Sequence, residues 1–111
     1  LIAMMDRHGM TISSHCYSHE WIDTLSLKEF ETDLDNSLAF LRSASIDTSR
    51  WIMCYPYGCH PFKAPLEKHI EMMKARNCLM AFTDHGGTAD LFNDDRFMLP
   101  RTDTNELPIT P

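Results

Sequence analysis

Six histidines stand among these 111 residues, and two of them, His15 and His19, are four apart. The segment His15-Cys16-Tyr17-Ser18-His19 has the H-x-x-x-H spacing, which predicts both imidazoles on one side of a helical turn, near enough to hold one cation. Zinc favours neutral imidazole nitrogen, and a catalytic zinc takes three protein ligands and keeps a fourth position for water. The pair is therefore expected to supply two ligands of a divalent metal, zinc first among the candidates. The four cysteines, Cys16, Cys54, Cys59 and Cys78, include no C-x-x-C pair. That spacing excludes a zinc ribbon or a thioredoxin-type motif and leaves the thiols reduced and mostly structural.

Three other clusters carry polar or aromatic groups: Tyr55-Pro56-Tyr57-Gly58, Asp84-His85 and Leu99-Pro100-Arg101. Their positions follow from the elements between them. Leu1 to His8 reads as a helix ended by Gly9, and Met10 to Ser13 as a short strand. Ser26-Leu27-Lys28-Glu29 is a capping box. Leu27, Phe30, Leu34, Leu38 and Leu41 then make an apolar stripe on a helix to about Ser43. Trp51 to Cys54 and Leu79 to Phe82 are unbroken apolar runs, expected as strands buried on both faces. Between them a helix from about Ala64, with Pro65 in its first turn, is expected to face inward through Leu66, Ile70 and Met73 and to stop at Asn77. Phe97 to Leu99 reads as a last short strand.

Strands alternating with helices imply parallel pairing through right-handed crossovers. All strands then point one way, and the loops after them gather at one carboxyl edge, where α/β sheets and barrels bind ligands. His15, His19, the Tyr55–His60 stretch, Asp84, His85 and Arg101 all fall on that rim. His8 and His69 lie in expected helices and are read as solvent-facing. A single α/β domain of parallel βα units, residues 1–111, is the expected organisation.

Composition narrows the function. A 43% apolar, 23% charged chain is globular rather than disordered. A net charge of −6 with scattered basic residues argues against a nucleic-acid surface. No apolar run approaches a bilayer span, no leader-peptide pattern opens the chain, and the compartment stays open. The opening Leu1-Ile2-Ala3-Met4-Met5 reads as part of a longer protein. An isolated set of four strands would leave open sheet edges, so self-association or pairing with the rest of a barrel is expected.

The stretch Gly9 to Leu41 resembles the second motif of the polysaccharide deacetylases, carbohydrate esterase family four (the NodB-like domain), and its surroundings. In that family H-[S/T]-x-x-H supplies two metal ligands, here His15 and His19. Tyr55-Pro56-Tyr57-Gly58 is similar to the third motif, R-x-P-Y, which walls the substrate groove. Leu99-Pro100-Arg101 resembles a segment late in these domains. The resemblance implies a distorted (β/α)7-type barrel and hydrolytic removal of N-acetyl groups from a carbohydrate. It assigns the oxyanion contact to the Tyr57 amide and sugar contacts to Tyr17, Trp21, Tyr55, Pro56 and Gly58. Arg101 would orient the base, and His85 is the rim histidine left to act as acid. Cys16 stands where Ser or Thr is usual, and Cys54 where the third motif has arginine. The first motif, T-F-D-D, which brings the third ligand and the base, is not in the sequence, and Asp84 is the best internal substitute. The last motif, L-x-H, is also not found. The chain alone is therefore expected to be inactive. Two alternatives remain: a degenerate barrel that binds carbohydrate without cleaving it, and a structural zinc module built from His15, Cys54, Cys59 and His60.

Overall fold

A computed structural model of the chain describes residues 1–58, 66–84 and 86–106. In chain order the elements are α1 (Ile2–Arg7), α2 (Leu27–Ser43), β1 (Trp51–Cys54), α3 (Glu67–Ala75) and β2 (Cys78–Phe82), with 3-10 turns at Ile22–Thr24, Pro56–Gly58 and Thr104–Glu106. β1 and β2 pair in parallel, Trp51 opposite Cys78 and Cys54 opposite Phe82, with one irregularity of register between Trp51 and Ile52. Two parallel strands need a crossover. α3 lies on that crossover and packs on β2 and α2.

The two outer strands expected from the sequence are each a single parallel bridge, Ser14 with Met53 and Leu99 with Phe82. The lateral order is therefore Ser14, β1, β2, Leu99. Side-chain competition for backbone groups explains why neither outer segment lengthens. On one side the Ser13 hydroxyl donates to Ile52 O (2.6 Å) and accepts from Ile52 N (2.5 Å), taking ladder positions. On the other, Asp95 accepts from Phe97 N through its side chain and from Met98 N through its backbone, holding that stretch in a turn until Leu99.

α2 forms as its sequence dictates. The Ser26 hydroxyl accepts the Glu29 amide (3.1 Å), and Phe30, Leu34, Leu38 and Leu41 are buried. With Ile22, Trp51, Met53, Tyr55 and Met73 they make one core. β2 departs from expectation, because Leu79 is exposed and only Cys78 and Ala81 are fully inside. The expected start of α3 at Ala64 and Pro65 lies outside the described residues. α3 ends at Ala75, and Asn77 follows with a left-handed φ of 70°.

His69 corrects the solvent-facing expectation. It lies three residues after Leu66 and four before Met73, so helical periodicity puts it on their inner stripe. Its ring sits 4.9 Å from that of Phe30 and is buried, and among the described residues neither nitrogen finds a hydrogen-bond partner. Burial pushes its pKa below the ordinary imidazole value, and Asp23 opposes the shift. His8 is exposed as expected, its Nδ1 2.8 Å from Met4 O.

Candidate functional site

The chain leaves the sheet at Ser14 and enters the imidazole loop. The loop is not the helical turn its spacing predicts: Cys16 (φ 63°) and His19 (φ 58°) are both left-handed. Those two reversals, rather than a helix, bring the rings together. The Nε2 atoms of His15 and His19 lie 2.9 Å apart, with ring centroids 4.7 Å apart. His15 Nδ1 is 2.7 Å from the backbone oxygen of Cys54, at the end of β1. A carbonyl can only accept, so that nitrogen carries the proton and Nε2 keeps its lone pair.

Zinc sets a geometric condition on such a pair. With metal–nitrogen bonds near 2.05 Å, nitrogens 2.9 Å apart subtend an angle of about 90° at one ion. The pair therefore fits two adjacent positions of an open site. Among the described residues no third histidine, cysteine, aspartate or glutamate joins them. Asp84, the internal carboxylate expected there, instead lies against Gly58, where a Cβ would run into its carboxylate.

Behind the loop stands α2. Asp33, on the buried face of that helix, accepts the backbone amides of Tyr17 (2.9 Å) and Ser18 (2.8 Å), one on each carboxylate oxygen. One helical turn on, the buried Ser37 hydroxyl meets that of Ser14 (2.7 Å), which also accepts the Cys16 amide (3.2 Å). Cys16 itself points inward. Burial and the Asp33 carboxylate push its thiol pKa up to about 12, so it stays protonated near neutral pH.

Beside the imidazoles lies the turn after β1. Tyr57 is left-handed (φ 57°) and half-exposed. Its ring is 4.8 Å from that of His19 and is stacked on Trp21 at 5.0 Å with planes 15° apart. Among the described residues nothing accepts a hydrogen bond from the Tyr57 amide, whereas its neighbour Gly58 N donates to Tyr55 O (3.0 Å). A groove of about 400 Å³ lined by Ile2, Ile12, His15, Cys16, Tyr17 and Phe40 also reaches the loop.

The structure thus brings His15, His19, Trp21 and Tyr57 together, and Tyr17 is exposed at the same loop. It separates Tyr55, Pro56 and Gly58 from the expected sugar contacts. All three are buried, and the Tyr55 hydroxyl donates to Phe97 O (2.8 Å) inside the core. Arg101 Nε donates to Thr83 O (3.1 Å), at the carboxyl end of β2. His85, Cys59 and His60 lie outside the described residues. Sequence reasoning missed Asp33 and Ser37, whose signal is two polar residues four apart inside an otherwise apolar stripe.

The family model for polysaccharide deacetylase matches residues 1–74, two-thirds of the chain, including the imidazole loop, α2, β1 and the Tyr57 turn. The chain belongs to the polysaccharide deacetylase family. At that level it is a carbohydrate deacetylase, a hydrolase. The matched stretch ends at Lys74, so β2, Asp84 and Arg101 stand beyond it. No curated protein and no solved structure matches the chain. Among the described residues no helix is long and apolar enough to cross a membrane.

Proposed function

We propose that this chain carries one half of the centre of a divalent-metal-dependent N-deacetylase acting on an N-acetylated carbohydrate, built on part of a distorted (β/α)7 barrel. The observation that carries this reading is the convergence of His15 Nε2 and His19 Nε2, with the opposite nitrogen of His15 held on Cys54 O. A second anchor of that kind is how metal-binding imidazoles are fixed in tautomer and direction. When bound, a cation there lowers the pKa of water and polarises the acetyl carbonyl.

The chain's own residues divide the remaining work. The Tyr57 amide would donate to the oxygen that gains charge as the amide is attacked. The stacked Trp21 and Tyr57 rings offer a flat face to a sugar ring. His85 would protonate the departing amine. Arg101, whose Nε donates to Thr83 O, would orient a carboxylate base with its guanidinium. Neither that base nor the third metal ligand is supplied beside the imidazoles by the described residues, so the chain alone is expected to release little acetate.

Calorimetric titration with Zn²⁺ tests the reading. One ion per chain is expected, lost in both His15→Ala and His19→Ala. An N-acetylglucosamine oligomer should shift the ring NMR signals of Trp21 and Tyr57. Zinc uptake indifferent to both substitutions would overturn the metal site. Rapid acetate release by this chain alone would overturn its incompleteness. Zinc-independent glycan binding with no release in any reconstituted form would favour a binding-only module, which the same Trp21–Tyr57 stack could serve.

A further inference from the structure

Two left-handed residues that are not glycine, Cys16 and His19, bracket the amides of Tyr17 and Ser18. Such conformations are costly for L-residues and persist only where surroundings fix them. The fixing group is visible: both amides point at one carboxylate, that of Asp33, at 2.9 and 2.8 Å. Asp33 is only 7% exposed, on a helix whose neighbouring inward positions are Phe30, Leu34 and Leu38. Among the described residues no lysine or arginine pairs with it; the salt bridges there are Arg76 with Glu31 and with Asp35. Burying a carboxylate is expensive unless its oxygens are satisfied by donors, and here the loop's backbone supplies them. Each such charge-assisted bond is stronger than a neutral one, so the loop and the carboxylate hold each other in place.

We propose that Asp33 is a positioning residue of the site: by clamping the Tyr17 and Ser18 amides it sets the loop shape that makes the His15 and His19 Nε2 atoms converge. The role in metal uptake rests on the proposed deacetylase centre, whereas the convergence of the rings does not. Ser37, one turn further along α2, braces the start of the same loop through Ser14 without a charge.

Asparagine in place of Asp33 keeps the size but turns one acceptor into a donor facing a donor. In the full chain, Asp33→Asn is expected to remove the slow hydrogen exchange of the Tyr17 and Ser18 amides. It should also take His15 out of its single Nδ1-protonated tautomer, read by long-range ¹H–¹⁵N correlation of the metal-free protein. Zinc binding should weaken about 10- to 100-fold, the usual cost of losing an outer support, and Asp33→Glu, which keeps the charge and both oxygens, should recover part of it. A folded Asp33→Asn chain with His15 and His19 signals unchanged would overturn the assignment. Should that variant not fold, Asp33→Glu decides: unprotected Tyr17 and Ser18 amides beside unchanged imidazole signals would overturn it, and joint change would support it. If the parent chain takes up no zinc, the deacetylase reading fails, and the tautomer measurement still judges Asp33.

Discussion

The two halves of the carboxyl edge are built on different principles. The half after Ser14 and β1 is tied into the body of the protein: Asp33 and Ser37 hold it to α2, and Cys54 O holds His15 to β1. The half after β2 holds mainly to itself. Asp90 accepts from the amides of Phe92 and Asn93 and from the Asn93 side chain, and Asp94 accepts from Asp90 N, all within five residues. Phe92 lies almost wholly in solvent. A site that must keep two nitrogens 2.9 Å apart needs the first kind of construction, because each long-range bond removes a freedom that a local turn leaves. The difference places the preorganised chemistry on the β1 side.

The largest effect should come from removing what both ties of α2 depend on. Phe30, on α2, is fully buried against the His69 ring of α3. Phe30→Ala is expected to cost about 3–5 kcal/mol in denaturant unfolding. If the imidazole signals of a still-folded Phe30→Ala chain were untouched, α2 would not be what supports the imidazole loop.

Next comes a contrast between the halves themselves. His19→Ala should weaken Zn²⁺ binding at least 100-fold, about 2.7 kcal/mol. Asp84→Asn and Arg101→Ala, on the β2 side, should change it less than twofold. Titration calorimetry on the three variants checks this, and a large loss in Asp84→Asn would erase the distinction by making Asp84 a ligand.

What the sequence made legible follows the same division. The apolar periodicity of α2 and its Ser26 cap were readable because burial of one face repeats in the sequence, and the strands around Met53 and Ala81 because each is an unbroken apolar run. Placement of the histidine loop on the rim was readable from topology. The loop's shape was not. H-x-x-x-H suits a helical turn, and only long-range bonds from Asp33 and Ser37 select the left-handed alternative. The burial of Tyr55 is not legible for a related reason: Tyr55 and Tyr57 flank one proline, and nothing local says which ring turns into the core toward Phe97 O. Identity with the helical stripe of Leu66 and Met73 was available for His69, but a polar residue type concealed it.

His69 supplies a third, smaller effect that belongs to neither half. Its folded pKa lies below the ordinary value of 6.5, because burial disfavours the charged ring. The unfolded chain therefore binds the proton more readily, and the stability held above that value is lost as pH falls through the window beneath it. Facing it are Phe30 from α2 and, as the opposing charge, Asp23 from the Ile22–Thr24 turn. The unfolding midpoint should drop as pH falls below 6.5, and His69→Leu should flatten that slope relative to the parent. Parallel pH curves for the two proteins would mean that His69 takes up its proton without cost.

The smallest effect is the sharpest test of independence. Hydrogen bonds from Asn93 and Phe92 hold the Asp90 carboxyl below the usual carboxylate value, so the turn it organises is intact above the ordinary Asp range and loosens as pH falls through it. Every partner is local and exposed to solvent. Asp90→Ala should therefore speed hydrogen exchange at Phe92 and Asn93 while leaving the unfolding midpoint and the His15 tautomer where they are. If instead the His15 and His19 signals moved, strain in the β2 half would be reaching the imidazoles through Phe82 and Tyr55, whose amide bonds Phe82 O at 3.0 Å. The rim would then be one coupled unit, with the positioning of the metal-binding pair shared across the sheet.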